Sequence, residues 1–212
     1  MNNQNEIYIY GSGGLGRGVL DLIYTINRKN GERWKMKGFL DDTNKGNVNG
    51  YEVVGNIDSL LNMEKPVNVV LAFGNPRIKR ILFEKLKYKD NIKFPNLIHP
   101  NVDVSPFNCF GQGNIISYGV ALSTNINIKN FNLIHYNCSI GHDVVMGNFN
   151  SVFPLTALSG YVELGDEVEI GTNASIIPSK NIGSKTKIGA GSVVINSVPE
   201  GKKIVGVPGR EI

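Results

Sequence analysis

One position in every six is apolar from Val104 to Val194, in the series Val104, Phe110, Ile116, Leu122 and onward to Ile188 and Val194. Only Phe110 and Met146 in that series are not Val, Ile or Leu, and the next residue is often glycine, as at Gly111, Gly141, Gly147, Gly165, Gly171, Gly183 and Gly189. A fixed short period is the mark of a solenoid, and a period of six residues predicts a β-helix. Three hexads make one triangular coil, so the stretch from 104 to 199 predicts roughly five turns. Each apolar side chain points into a narrow prism, and Gly or Asn at the corners relieves the steric cost of positive φ. The position four after each apolar residue is mostly small or β-branched (Val120, Thr156, Val162, Ala174, Ser192), which also places Cys138 inside. Lys180 breaks that trend and points to a bulge or an exposed edge.

The first 100 residues follow another rhythm. Ile7–Tyr10 reads as a strand after a polar lead-in, Met1 to Glu6. Gly11-Ser-Gly-Gly-Leu-Gly16 reads as a tight turn, and Val19, Leu20, Leu22, Ile23 and Ile26 follow at helical spacing. Further strands are expected at 37–40, 51–54 and 68–73, a short helix at 57–63, and a helix opened by Pro76. Phe94 to Ile98 closes this unit. Strands alternating with helices predict a parallel sheet, hence a small Rossmann-like α/β domain over 1–100 followed by the β-helix over 101–212.

Composition adds limits. The chain has 212 residues, 41% hydrophobic and 19% charged, as expected of a globular protein. No apolar run approaches a membrane span, and the N-terminus lacks a signal-peptide core, so a cytoplasmic protein without membrane contact is expected. Cys109 and Cys138 form no disulfide framework and no metal knuckle. A net charge of +4 is too small to argue for nucleic acid. The excess is concentrated at 77–93, which reads as a solvated helix face; the alternative puts Arg77, Lys79 or Arg80 near a bound phosphate.

The Gly11–Gly16 turn fits G-x-G-x-x-G between a strand and a helix, where backbone N–H groups can approach a phosphate. Asp41 stands 25 residues beyond Gly16, at the end of the next strand, where a ribose or base contact belongs. A unit of this size holds one nucleotide half-site, which argues against a dinucleotide.

The hexads resemble those of the hexapeptide-repeat acyltransferases, whose coils form a left-handed parallel β-helix. Ile9-Tyr-Gly-Ser-Gly-Gly-Leu-Gly-Arg17, Phe39-Leu-Asp-Asp42, Gly74-Asn75, Leu97-Ile-His-Pro100 and Val205-Gly-Val-Pro-Gly-Arg210 narrow the resemblance. In that order they resemble the bacterial nucleotide-linked amino-sugar N-acetyltransferases and sialic acid O-acetyltransferases. The resemblance implies acetyl-CoA as co-substrate, no metal, a nucleotide-linked amino sugar as acceptor, and a homotrimer with sites between subunits. It implies that His142, in Ser139-Ile-Gly-His-Asp-Val144, is the general base and Asp143 its orienting carboxylate. Gly13, Gly14, Leu15, Asp41, Asp42 and Gly74 fall at substrate positions, and Ser151, Gly171, Thr172, Ala190 and Gly191 at acetyl-CoA positions. Relatives commonly carry His where this chain has Leu15 and Ser151.

His135 could line the same cleft or serve as a surface residue, and His99 reads as structural. Two helix histidines are too few for a shared zinc site. Cys138, facing inward, is a poor nucleophile. The expected reaction is N-acetylation of a nucleotide-linked amino sugar, a 4-amino-4,6-dideoxyhexose. The alternatives are O-acetylation of a sialic acid type of acceptor, and a non-catalytic nucleotide-binding solenoid.

Overall fold

The computed structural model describes residues 5–212. The first four residues of the expected polar lead-in lie outside the described residues, and Asn5 and Glu6 already belong to the first strand. Strands β1 (Asn5–Tyr10), β2 (Trp34–Leu40), β3 (Asn47–Val48), β4 (Tyr51–Gly55), β5 (Val67–Leu71) and β6 (Ile92–Lys93) form one sheet in the order β3-β4-β2-β1-β5-β6. All its pairs are parallel except β3–β4. Three helices connect them: α1 (Gly14–Asn30), α2 (Ile57–Leu61) and α3 (Pro76–Leu86).

α2 and α3 start where their sequence says, whereas α1 starts at Gly14, inside the stretch expected to be a tight turn. Asn56 and Ser59 form a reciprocal cap on α2; Asn75 accepts from Arg77 N–H and Ile78 N–H at the head of α3, with Pro76 in its first turn. The periodic apolar residues of α1, from Val19 to Ile26, are buried against the sheet. Because β2 and β5 flank β1 on opposite sides, the strand order reverses beside β1. A crevice at such a reversal, beyond the strand ends, is where open α/β sheets take ligands. Gly11–Gly14 and Gly74 both lie there.

The remainder is a β-helix of two-residue rungs. Partners lie 18 residues apart, as in Leu133↔Ser151 and Ile134↔Val152. Two faces have five strands, running from Ala121–Leu122 and from Cys109–Phe110. A third has eight, because β7 (Leu97–Ile98) pairs with Ile115–Ile116 and an antiparallel tail closes the other end. Leu97 and Ile98, expected to close the α/β unit, therefore open the β-helix, and the change of unit falls between β6 and β7. Val104, expected to point inward, is 39% exposed and outside any strand. Lys180 makes no bulge: its carbonyl accepts from Glu163 N–H in register.

The corners correct a second expectation. Positive φ recurs every six residues from Gly113 to Gly191, three after each inward apolar residue, and its occupants include Asn125, Phe131, Asp143, Phe149, Leu155 and Tyr161. The glycines directly after the apolar residue are not at this position. They are small because the next coil touches them: a Cβ on Gly141 would lie 2.5 Å from Gly160 N, and one on Gly171 2.5 Å from Ala190 N.

The α/β unit packs on the eight-stranded face. Ile115 and Leu133 point outward from that face into the core formed by Ile7, Ile9 and α1, while Phe131 and Phe149 stack 5.3 Å apart and meet Phe83 of α3. Lys79 of α3 enters the same seam, with 2% of its surface exposed. Its ammonium donates to Phe131 O at 2.9 Å, Asn150 O at 2.9 Å and Ser151 Oγ at 3.0 Å. Both readings of the basic run fail at Lys79, which neither faces solvent nor is open to a phosphate. Burial pushes its pKa down to about 7, with Glu169 opposing.

Candidate active site

The corner carrying His142 connects the face of Ser139–Ile140 to that of Val145–Met146. His142 is 52% exposed at its side chain, and its Nδ1 lies 2.8 Å from Asp143 Oδ2. Asp143 occupies the positive-φ position (φ 58), which turns its carboxylate back toward the preceding imidazole. Its other oxygen accepts from Asn125 Nδ2 at 3.3 Å, one coil earlier. The bond with His142 first, then those of Asn125 and Tyr161, hold the Asp143 carboxyl below the usual carboxylate range despite some desolvation. An ionised carboxylate only accepts, so Nδ1 carries the proton and a neutral His142 keeps its lone pair on Nε2. That is the arrangement a general base needs.

One residue of this site escaped sequence reasoning. Gly160 lies one coil after His142, and a Cβ there would come within 2.6 Å of both Nε2 and Cε1. The imidazole rests in the space this glycine leaves open. The signal was available, since Gly160 stands 18 residues beyond His142 and so beside it in the stack.

The residues expected at the nucleotide gather at the β1–α1 turn. Gly13 caps α1 in extended conformation without a side-chain cap, and the first turn carries no acidic residue, so the helix N-terminus is electrostatically open to an anion. Gly13 and Gly14 are exposed, and a Cβ on Gly13 would meet nothing within 4 Å. Gly16 is constrained instead, since its Cβ would collide with Gly11 O. Asp41 braces the turn: Oδ2 accepts from Ser12 N–H (2.9 Å) and Ser12 hydroxyl (2.7 Å), while Oδ1 accepts from Thr43 and Asn44. Burial raises the Asp41 pKa, but these donors outweigh it and leave the carboxyl well below the ordinary range. Asp42 is likewise engaged, accepting from Tyr10 hydroxyl at 2.8 Å and Ile57 N–H at 3.2 Å. Both carboxylates are thus engaged by the chain's own donors in and beside this loop. Gly74 faces Phe153 of the β-helix, and Leu15 lines a cleft of about 170 Å³ between α1 and Tyr118, Tyr136 and His99.

The acetyl-CoA set divides. Thr172, Ala190 and Gly191 are exposed at one corner in two successive coils, with Gly191 N–H donating to Thr172 O at 2.8 Å. Gly171 joins them, although packing against Ala190 already explains its glycine. Ser151 does not belong. It is fully buried under α3 and bonded to Lys79, which removes its side chain from any open groove.

Among the other candidates, His135 is half-buried, its Nδ1 accepts from Tyr136 N–H at 3.0 Å, and desolvation lowers its pKa. His99 Nδ1 accepts from Asn101 N–H at 3.1 Å, a structural bond. Cys138 is 1% exposed and burial pushes its thiol pKa up to about 11, which suits packing and not nucleophilic attack. Arg80 pairs with Glu167 at 2.8 Å across the seam.

The structure thus brings His142, Asp143 and Gly160 together, and separately Gly13, Gly14, Leu15 and Gly74. It does not bring the two sets together within one chain. The α/β unit covers the eight-stranded face, and His142 stands on the opposite edge of the prism, between the other two faces.

Comparison with known proteins gives this division a context. Residues 6–86 match the PglD N-terminal domain family. The acetyltransferase domain of PglB from Neisseria gonorrhoeae FA1090, solved with acetyl coenzyme A, is 29% identical, with a TM-score of 0.91 over 99% of this chain and 100% of that one. PerB from Caulobacter crescentus, solved with CoA and GDP-perosamine, is 28% identical, with a TM-score of 0.87 over 98% and 97% of the two chains. GDP-perosamine N-acetyltransferase of Escherichia coli O157:H7 is 32% identical over 96% of this chain and 95% of its own length. With that identity over almost its whole length and a left-handed β-helix behind the matching α/β unit, the chain belongs to the nucleotide-linked amino-sugar N-acetyltransferase family.

Proposed function

We propose that this protein transfers an acetyl group from acetyl-CoA to the amine of a nucleotide-linked amino sugar, a 4-amino-4,6-dideoxyhexose. The observation that carries the mechanism is the His142–Asp143 pair, with Nδ1 held at 2.8 Å and Nε2 left as acceptor. A sugar amine is an ammonium at neutral pH and must lose a proton to attack a thioester. His142 takes that proton and Asp143 steadies the imidazolium; the amine attacks the thioester carbonyl directly without an acyl-enzyme, the C–S bond breaks, and coenzyme A leaves as the thiol with the second proton lost from the amine nitrogen. General-base catalysis of this kind is worth roughly 10²–10⁴-fold.

The open N-terminus of α1 receives the nucleotide phosphates at Gly13 and Gly14, with Leu15 and Gly74 beside them. The corner of Gly171, Thr172, Ala190 and Gly191 offers a small-residue ledge to the acetyl-CoA arm. Because His142 lies across the prism from its own α/β unit, the sugar bound by one subunit reaches the His142 of a neighbour. A homotrimer built on the free β-helix faces, in the cytoplasm, fits this arrangement. Assay of Asn and Ala variants of His142 on a panel of nucleotide-linked amino sugars tests the reading, and near-wild-type turnover would sink it. Thermal shift with UDP, GDP and dTDP identifies the nucleotide.

A further inference from the structure

The partners of Asp143 form a column. Asn125, Asp143 and Tyr161 all have positive φ, near 58°, and stand at the same corner in three consecutive coils. Asn125 reaches Asp143 from one side. From the other, the Tyr161 ring meets the His142 ring edge-on, with centroids 5.0 Å apart and planes at 87°, and Tyr161 N–H donates to His142 O at 3.0 Å. The Tyr161 hydroxyl contributes to the lowered pKa of Asp143. Tyr161 directly follows Gly160, the residue that makes room for the imidazole. It is 56% exposed and so is not part of the β-helix core.

We infer that Tyr161 is a positioning residue for this reaction: its ring limits the rotation of His142 and its hydroxyl steadies Asp143, so that Nε2 faces the acceptor amine. The imidazole is half-exposed and sits over a glycine, so little else confines it. A base that swings away from its carboxylate loses both its tautomer and its aim, and activity follows the fraction of time it is correctly placed.

This inference rests on His142 being the base, and the experiment separates the two. Full-length wild type and the variants Tyr161→Gly, Tyr161→Phe and His142→Asn are assayed with acetyl-CoA and the amino sugar that wild type accepts. Glycine is the safe replacement for the backbone, because Gly113, Gly119 and Gly191 hold the same corner position with φ between 68° and 75°. Tyr161→Gly is expected to lower kcat roughly tenfold, part of the general-base contribution, with both KM values within about twofold. Phenylalanine restores the ring and recovers most of that loss. An unchanged kcat in Tyr161→Gly beside an inactive His142→Asn overturns the inference alone. A loss expressed as a raised KM for the sugar also overturns it, by making Tyr161 a substrate contact. An active His142→Asn overturns the base and the inference together.

Discussion

Lys79 Nζ lies 3.0 Å from Ser151 Oγ, in a seam where neither side chain reaches solvent. The ammonium has three hydrogens for three acceptors. The neutral amine is also satisfied, donating to Phe131 O and Asn150 O while accepting from a rotated Ser151 hydroxyl. Lys79→Met leaves both carbonyls without their donor and should lower unfolding stability by about 1–3 kcal/mol. The folded pKa near 7 lies below the ordinary lysine value of 10.5, so between those values the unfolded chain binds more protons and stability rises with pH. Urea midpoints at pH 7 and 9 should therefore diverge, with wild type gaining on the variant. Parallel midpoints would show that Lys79 titrates normally.

Gly160→Ala and Gly141→Ala should separate activity from folding. A Cβ on Gly160 meets the His142 ring at 2.6 Å, and a ring can move aside, so the fold survives while the base is displaced. A Cβ on Gly141 meets backbone, Gly160 N at 2.5 Å and Ser159 C at 2.7 Å, which cannot yield cheaply. The first variant should keep its melting temperature within a few degrees and lose most of its kcat. The second should melt markedly lower. Equal melting losses would contradict the distinction.

Much of this was legible because the β-helix repeats a side-chain rule. Inward positions must be apolar, so Ile140 announces the coil and Cys138 its interior. Even the overlooked first rung had a signal, since Ile98 stands six before Val104, in phase. The meaning of the glycines was harder. Positive φ at Phe131, Leu155 and Tyr161 has no compositional mark, because the fold imposes that backbone on whatever residue arrives. Lys79 and Ser151 were unreadable for another reason: a lysine on an amphipathic helix is ordinarily at the surface, and only the second unit packing on α3 buries it. The pairing of His142 with Asp143 was implied by the family resemblance, their contact was not legible, and Gly160 becomes visible only when coils are stacked.

Asp143→Asn should lower activity by up to about 10²-fold, since an amide can donate to Nδ1 and thereby move the proton to Nε2. KM for acetyl-CoA should stay within about twofold, because Asp143 faces the imidazole. Steady-state kinetics decide this, and wild-type kcat in the variant would remove Asp143 from the site.

Subunit mixing tests the shared site. Gly13→Glu places a carboxylate where the nucleotide phosphates are expected, at a position with open space around it, so the fold should tolerate it. His142→Ala removes the proposed base. Each variant should be inactive alone, and random co-assembly should restore about a quarter of the sites if base and nucleotide come from different subunits. No recovery in verified mixed oligomers would place the whole site within one chain.

The recurring positive-φ corner also governs how such a chain can change. The backbone at residues 125, 143 and 161 is the same whatever side chain it bears, so a reactive group can move between coils without a new fold. It can move only in whole rungs of about 4.8 Å. The prism is in this sense a graduated ruler, and the spacing of base and acyl donor along it takes discrete values. Finer adjustment must come from side-chain length.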